Sequence, residues 1–148
     1  MARFELSWDP FDQTDPGPCI DVTITNSLSV IEAGRVIGLE YPKPRPIRAL
    51  LDTGASVTVI SKAFASYCKL FQTNEGIEIT AIGTTHIGGE HAGAISFPGT
   101  GLRSLDPIRI VSAVFAKERY YACLIGRDIL WNWIITFDGR SKRVTITD

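Results

Sequence analysis

Most of this chain alternates between apolar and polar residues with a period of two, the pattern of β-strands whose two faces meet different surroundings. The alternating segments are rich in Ile, Val, Thr and aromatic residues, and turn signals containing Pro and Gly separate them. They cover residues 19–25, 30–39, 47–51, 77–82, 108–115, 134–138 and 143–147. The sequence therefore predicts an all-β fold.

Only two short stretches have a helical pattern. One follows Ser61, a suitable N-cap residue, and extends to Cys68. The other runs from Arg127 to Trp131, follows a glycine and carries an acidic residue in its first turn. Neither stretch is long enough to organise a helical fold, so we expect a β-rich domain with one or two short helices.

Length and composition indicate one domain. A chain of 148 residues is the size of one ordinary domain, and no repeat, low-complexity segment or shift in composition divides it. The formal net charge of −1 argues against a nucleic-acid partner, because phosphate contacts need clustered Lys and Arg. We expect a single domain over residues 1–148.

The cysteines and the hydropathy of the chain indicate the cellular compartment in which it works. The three cysteines, Cys19, Cys68 and Cys123, are widely spaced and form no CxxC pair, so neither a disulfide framework nor a zinc site is indicated. No apolar run approaches the roughly 18 residues that cross a bilayer, and acidic residues interrupt the N-terminus where a signal peptide needs an apolar core. We expect a cytoplasmic protein with no membrane partner.

A carboxylate stands where an apolar strand ends. Residues 49–51 are apolar, Asp52 follows them directly, and Thr53-Gly54 comes next. In the simpler interpretation, Asp52 starts a turn and accepts hydrogen bonds from backbone amides two residues on. In the other it is catalytic, which would explain a carboxylate at a position where burial costs free energy. The residues on both sides favour the second interpretation, because the apolar residues 49–51 and the alternating residues 55–60 together make a strand, turn and strand that end at a helix start.

The run Ala49-Leu50-Leu51-Asp52-Thr53-Gly54-Ala55-Ser56 resembles the active-site motif of the retropepsin-like aspartic proteases. A second run, Cys123-Leu124-Ile125-Gly126-Arg127-Asp128-Ile129-Leu130, resembles the segment that follows the last core strand in that family. Two separate matches in the expected order are more specific than either alone. The resemblance leaves residues 1–16, an N-terminal lead-in, and residues 27–46, an insertion, without assigned roles.

The resemblance implies a closed, barrel-like β-domain and proteolysis by a symmetric homodimer without a cofactor. Two carboxylates about 3 Å apart that share one proton both activate water and protonate the peptide, and this chain has one Asp-Thr-Gly to contribute. By position, Asp52 resembles the catalytic aspartate, Thr53 a residue whose hydroxyl crosses to the other subunit, and Gly54 one whose amide donates to the carboxylate. Ala55, the next residue of the motif, is also implied to support the active site. The simpler alternative for Thr53 is an ordinary strand residue.

Residues 77–93 contain two extended arms around a centre rich in Gly and Thr, and they resemble the flap hairpin that closes over substrate in this family. A surface hairpin without a gating role is the alternative. The centre of the hairpin consists of Ile82, Gly83, Thr84, Thr85, His86 and Ile87. His86 and His91 do not predict a metal site, because a spacing of five puts them on one face of neither a helix nor a strand.

This chain differs from the viral members of the family in two features. Viral enzymes carry an acidic residue soon after the motif, which pairs with the arginine matching Arg127, whereas here Ser56 and Val57 follow Ala55. Arg127 must find another partner. Viral chains also end in a short dimerisation strand, whereas this one ends in a hairpin around Asp138-Gly139, which is closer to cellular and bacterial relatives. The dimer contacts therefore cannot be copied from the viral pattern.

We therefore predict an aspartic endopeptidase whose partners are a second copy of the chain and a peptide substrate. The alternative with the same fold is a dimer that binds extended peptides as added strands but cleaves them poorly or not at all. A monomeric β-domain with an unrelated turn at Asp52 is a third possibility.

Overall fold

The computed structural model describes residues 1–81, 84–115 and 120–148. In these ranges the chain forms ten strands and three helices, which confirms the mostly-β fold and adds one helix to the number predicted. They are β1 (Arg3–Ser7), β2 (Cys19–Asn26), α1 (Leu28–Val36), β3 (Ile47–Leu51), β4 (Val59–Ser61), α2 (Lys62–Tyr67), β5 (Gln72–Ala81), β6 (Thr84–Ser96), β7 (Leu105–Ala113), β8 (Cys123–Ile125), α3 (Arg127–Leu130), β9 (Ile134–Asp138) and β10 (Arg143–Thr147). None of the helices in the described ranges is long and apolar enough to span a membrane.

The main sheet has seven strands in the order β2-β3-β8-β4-β7-β6-β5, and an extra pairing between β2 and β6 closes it. β3 runs parallel to β8, with Leu51 in register with Ile125. Parallel neighbours end at the same edge of a sheet, so the residues after β3 and those after β8 emerge side by side. This pairing brings the two sequence motifs together.

The core fills the space between the closed sheet and a second, smaller sheet. Alternate residues of β2 point inward, and Ile20, Val22 and Ile24 are almost fully buried. The second sheet has the order β1-β10-β9 with antiparallel pairs throughout, and Val144 and Ile146 of β10 are completely buried against the same core. Residues 3–7 of the lead-in therefore belong to the folded domain as β1.

Helix α1 corrects the prediction of a strand over residues 30–39. The Asp106 carboxylate accepts a hydrogen bond from the Leu28 amide at 3.0 Å at its start. At its end Gly38 adopts φ +81°, and the Leu39 amide donates to the Gly34 carbonyl at 2.9 Å, the geometry of a Schellman cap. A contact distant in sequence and a glycine cap thus outweigh the β-branched composition of this segment.

The two predicted helices are present as α2 and α3. Ser61 caps α2, because its hydroxyl accepts a hydrogen bond from the Phe64 amide at 3.1 Å.

All three cysteines are free thiols. Burial raises the pKa of the Cys19 and Cys68 thiols to about 11, so both are neutral thiols at physiological pH.

Candidate active site

Asp52 begins the tight loop that follows β3. Its backbone amide donates to the Ile125 carbonyl at 3.0 Å, which continues the β3–β8 pairing by one residue. Its Oδ1 accepts a hydrogen bond from the Gly54 amide at 2.9 Å, a bond that both a structural turn and a catalytic loop would make. A Cβ added at Gly54 would lie 3.1 Å from this oxygen. The loop therefore holds the carboxylate close to the backbone.

The segment after β8 braces the same loop. The Arg127 guanidinium donates from Nη1 to the Thr53 carbonyl at 2.9 Å, and the Arg127 amide donates to the Ala55 carbonyl at the same distance. The partner that the sequence left open is thus a backbone carbonyl. The start of α3 holds the residues on both sides of Gly54.

Asp128 joins α3 to the strand that leaves the loop. Its two carboxylate oxygens accept hydrogen bonds from the Thr58 amide at 2.9 Å and the Thr58 hydroxyl at 2.8 Å. The same hydroxyl accepts from the Gly126 amide at 3.1 Å. Thr58 is completely buried, whereas Asp128 is exposed, so the network links the buried start of β4 to the surface. Sequence reasoning missed Thr58, whose only signal is a hydroxyl in an otherwise apolar run.

Gly126 is required by a close backbone contact. A Cβ at this position would lie 2.5 Å from the Val57 carbonyl carbon and 2.6 Å from its oxygen, closer than van der Waals contact allows. Only glycine lets β8 turn into α3 while the backbone of Val57 passes over it.

The loop is open on one side. Asp52 is half-buried, whereas Thr53, Gly54 and Ser56 are exposed. Within the described part of the chain the Thr53 hydroxyl has no hydrogen-bond partner, in keeping with a position at the surface of a single copy. The site is therefore a braced carboxylate at an accessible surface.

Tyr121 is a further residue near Asp52 that sequence reasoning missed. Burial raises the pKa of Tyr121, and the negative charge of Asp52 raises it further. Its ring makes an edge contact with Phe115 at a centroid distance of 5.8 Å. The phenol therefore stays neutral at physiological pH and lies within electrostatic range of the Asp52 carboxylate.

Strands β5 and β6 form the predicted hairpin. Ala81 pairs with Thr84, Thr80 with Thr85, Ile79 with His86, and Glu78 with Ile87. Thr84 to Ile87 are exposed, while Ile82 and Gly83 lie outside the described residues. In the described ranges the outer parts of the two strands pair only with each other, because the pairing of β6 with β7 begins at Gly89.

The two histidines lie at different positions along β6 and in different surroundings. His86 is exposed on the outer arm, whereas His91 at the base is 6% exposed, with Nε2 3.0 Å from the Ser112 hydroxyl. Burial lowers the pKa of His91. In the described ranges no group of three or more His, Cys, Asp or Glu side chains is placed to hold a metal ion.

Comparison with known proteins assigns the family. The model of a family described as "gag-polyprotein putative aspartyl protease" matches residues 43–132, which include both motifs. The chain belongs to this family of retropepsin-like aspartic proteases. No curated protein sequence matches it.

Two solved structures share the fold. EIAV protease, in complex with the inhibitor HBY-793, is 21% identical with a TM-score of 0.53, over 84% of this chain and 91% of that one. A retropepsin-like aspartic protease from Rickettsia conorii is 14% identical with a TM-score of 0.54, over 97% of this chain and 89% of that one. The likeness extends over most of the chain and confirms the retropepsin-like fold.

Proposed function

We propose that this protein is an aspartic endopeptidase that acts as a homodimer, with one Asp52 from each copy as its catalytic pair. One observation carries the proposal: the Asp52 carboxylate stands at an open surface on a loop whose backbone is held on both sides of Gly54 by Arg127. A carboxylate used only to stabilise a turn would not need this second support from another element.

Chemistry requires the second carboxylate. One carboxylate of the pair takes a proton from water, and the water oxygen attacks the peptide carbonyl carbon. The other, protonated carboxyl gives its proton to the carbonyl oxygen, which yields a neutral tetrahedral intermediate. The first carboxyl then protonates the amide nitrogen as the carbon–nitrogen bond breaks, and the second recovers a proton from the intermediate's hydroxyl as the product acid forms. A single aspartate cannot perform both roles in one step.

Asp138 does not supply this second carboxylate within one copy. Asp138, in the only other Asp-Gly sequence, accepts hydrogen bonds from the Arg140 and Ser141 amides and from the Ser141 hydroxyl. These bonds lower the pKa of Asp138 and use its carboxylate to close the β9–β10 turn. The second catalytic carboxylate therefore comes from a second chain.

The hairpin of β5 and β6 suits an extended peptide substrate. A peptide in strand conformation beneath this hairpin would present its backbone to the Asp52 loop and its side chains to alternate walls.

The test is hydrolysis of a fluorogenic peptide library by the wild type and by Asp52→Asn. We expect the variant to keep its circular dichroism spectrum and to lose activity by several powers of ten. Asp21→Asn, the same change at an exposed position on β2, is the matched control and should keep activity. Cleavage by a folded Asp52→Asn variant would contradict the proposal, and a wild type that binds library peptides without cutting them would support a peptide-binding dimer instead.

A further inference from the structure

Residues 27–46, to which the sequence resemblance assigns no role, form part of the wall of a cavity. Helix α1 contributes Ile31 and Arg35, and the loop that follows it contributes residues 41–44. Residues 24–26 of β2 and Cys68, at the end of α2, complete the lining. The cavity has a volume of about 250 Å³. The insertion thus adds a concave site to the domain.

Contacts within the chain fix the walls of the cavity. The Tyr41 hydroxyl donates to the Val30 carbonyl at 3.3 Å, and a Cβ added at Gly34 would lie 2.0 Å from the same hydroxyl oxygen. The Lys69 ammonium donates to the Glu40 carbonyl at 2.9 Å. The loop is therefore tied both to α1 and to the chain that follows α2. A site that is formed in advance loses little free energy to reorganisation when it binds a ligand.

The inner part of the cavity is apolar. Ile24 is 1% exposed and Cys68 is 6% exposed. The polar side chains beside them are already used, because the Thr25 hydroxyl donates to the Asn26 carbonyl at 2.9 Å and the Asn26 amide group to the Lys69 carbonyl at 2.8 Å. An apolar cavity of about 150 Å³ holds one benzene ring, so this cavity has room for a ring with a short chain.

Two cations without an acidic partner also line the cavity. Arg35 and Lys43 are both exposed. In the described ranges neither belongs to an ion pair, and the described residues that line the cavity include no Asp or Glu. The formal net charge of the whole chain is −1, so this local excess of positive charge is not a general property of the surface. Apolar walls with a few charged groups are typical of ligand sites, and here the charges attract an anion.

The cavity is separate from the Asp52 loop. Cys19 at the start of β2 pairs with Leu50, close to Asp52. Thr25 lies near the other end of the same strand, about 20 Å away at the usual rise of roughly 3.3 Å per residue. A ligand in the cavity therefore leaves the Asp52 loop free.

We propose that this cavity binds a small molecule in which an apolar ring or short chain carries a carboxylate. The apolar part lies against Ile24 and Ile31, and the carboxylate lies between Arg35 and Lys43. A planar guanidinium pairs with a carboxylate through two parallel hydrogen bonds. A monoanion suits the site better than a dianion, because each charge placed beside apolar walls costs desolvation free energy. This site goes beyond the proposed function and does not depend on it.

A titration with 4-phenylbutyrate, followed by NMR of the backbone amides of the full chain, tests the site. This probe joins a phenyl ring to a carboxylate through a short chain. We expect saturable shifts of the Thr25, Ile31 and Cys68 signals and unchanged signals in the Asp52 loop. The alcohol 4-phenylbutan-1-ol, which has the same ring and chain without the charge, should bind more weakly by about fivefold or more, because it forms no ion pair with either cation.

Substitutions test the charged and the apolar part separately. Arg35→Gln and Lys43→Gln each remove one positive charge, and each should raise the dissociation constant of 4-phenylbutyrate by about threefold. Ile31→Trp fills the inner part and should abolish the saturable shifts while the circular dichroism spectrum stays that of the wild type. Arg140→Gln, the same change at an exposed position of the β9–β10 turn, is the matched control and should bind as the wild type does.

The results that would overturn the site are equally specific. They are the absence of any saturable shift, shifts centred on the Asp52 loop, equal binding of the acid and the alcohol, and wild-type binding by both charge variants. A longer peptide that ends in phenylalanine is titrated in parallel. Tighter binding of that peptide than of 4-phenylbutyrate would assign the cavity to a chain terminus and overturn a small molecule as its ligand.

Discussion

The guanidinium of Arg127 donates a hydrogen bond to the backbone carbonyl of Thr53 at 2.9 Å, and this contact ties α3 to the loop that carries Asp52. Because the acceptor is a backbone carbonyl, Arg127 fixes the backbone of the loop and not a side chain next to it. The bond therefore restricts the position of the residue between Asp52 and Gly54, where a small displacement moves the catalytic oxygen. Arg127 is a positioning residue in this arrangement.

Replacement of Arg127 by alanine should reduce activity more than stability. The lost bond is partly exposed and is worth about 1 kcal/mol of unfolding free energy, whereas a loop displaced from its catalytic geometry loses kcat by tenfold or more. Denaturant unfolding and peptide hydrolysis measure the two effects. Arg35→Ala, an exposed arginine on α1, is the control, and equal kcat values for Arg127→Ala and this control would contradict the role.

Gly126→Ala should destabilise the protein strongly. Its added Cβ would meet the Val57 backbone at 2.5 Å, and backbone cannot move aside as a flexible side chain can, so we expect a loss of about 3 kcal/mol or more. Gly139→Ala is the matched control, because nothing lies within 4 Å of a Cβ there. A Gly126→Ala variant with the denaturation midpoint of Gly139→Ala would show that the contact is not rigid.

Thr58→Val should cost more stability than Thr58→Ser. Valine keeps the shape but leaves the buried Gly126 amide without its acceptor, at about 1–3 kcal/mol. It also removes one donor to the exposed Asp128 carboxylate. Serine keeps the hydroxyl and loses one methyl group, about 1 kcal/mol. Unfolding in urea measures both values, and equal stability of the two variants would mean that the hydroxyl carries no part of the network.

Local patterns explain what the sequence predicted of the site. Asp52 and Gly54 belong to one short run whose turn geometry is local. Strand β8, which opens the second motif, has only three residues and was not among the predicted strands. The partner of Arg127 was not predictable in this way, because every residue offers a backbone carbonyl and only the parallel pairing of β3 and β8 selects that of Thr53.

The misassigned α1 has a different cause. The residues from Val30 to Leu39 are rich in β-branched and apolar types, but they lie outside the main sheet, where a carboxylate from Asp106 meets the Leu28 amide. Gly38, followed by the apolar Leu39, was a local signal for the helix end. Tyr121 had no such signal, since its proximity to Asp52 arises only when the sheet closes.

Acid should weaken the fold through His91, at the base of β6. Burial lowers the pKa of His91 below its ordinary value of 6.5, so the unfolded chain binds the proton more readily than the folded one. Its stabilising contribution is therefore full above the unfolded pKa and is lost as the pH falls through the lowered folded value. Between about pH 7.5 and about pH 5 we expect a smaller fall in unfolding free energy for His91→Gln than for the wild type. His86→Gln, at an exposed position on the same strand, should behave as the wild type, and a wild-type slope in His91→Gln would mean that acid acts on the fold through other groups.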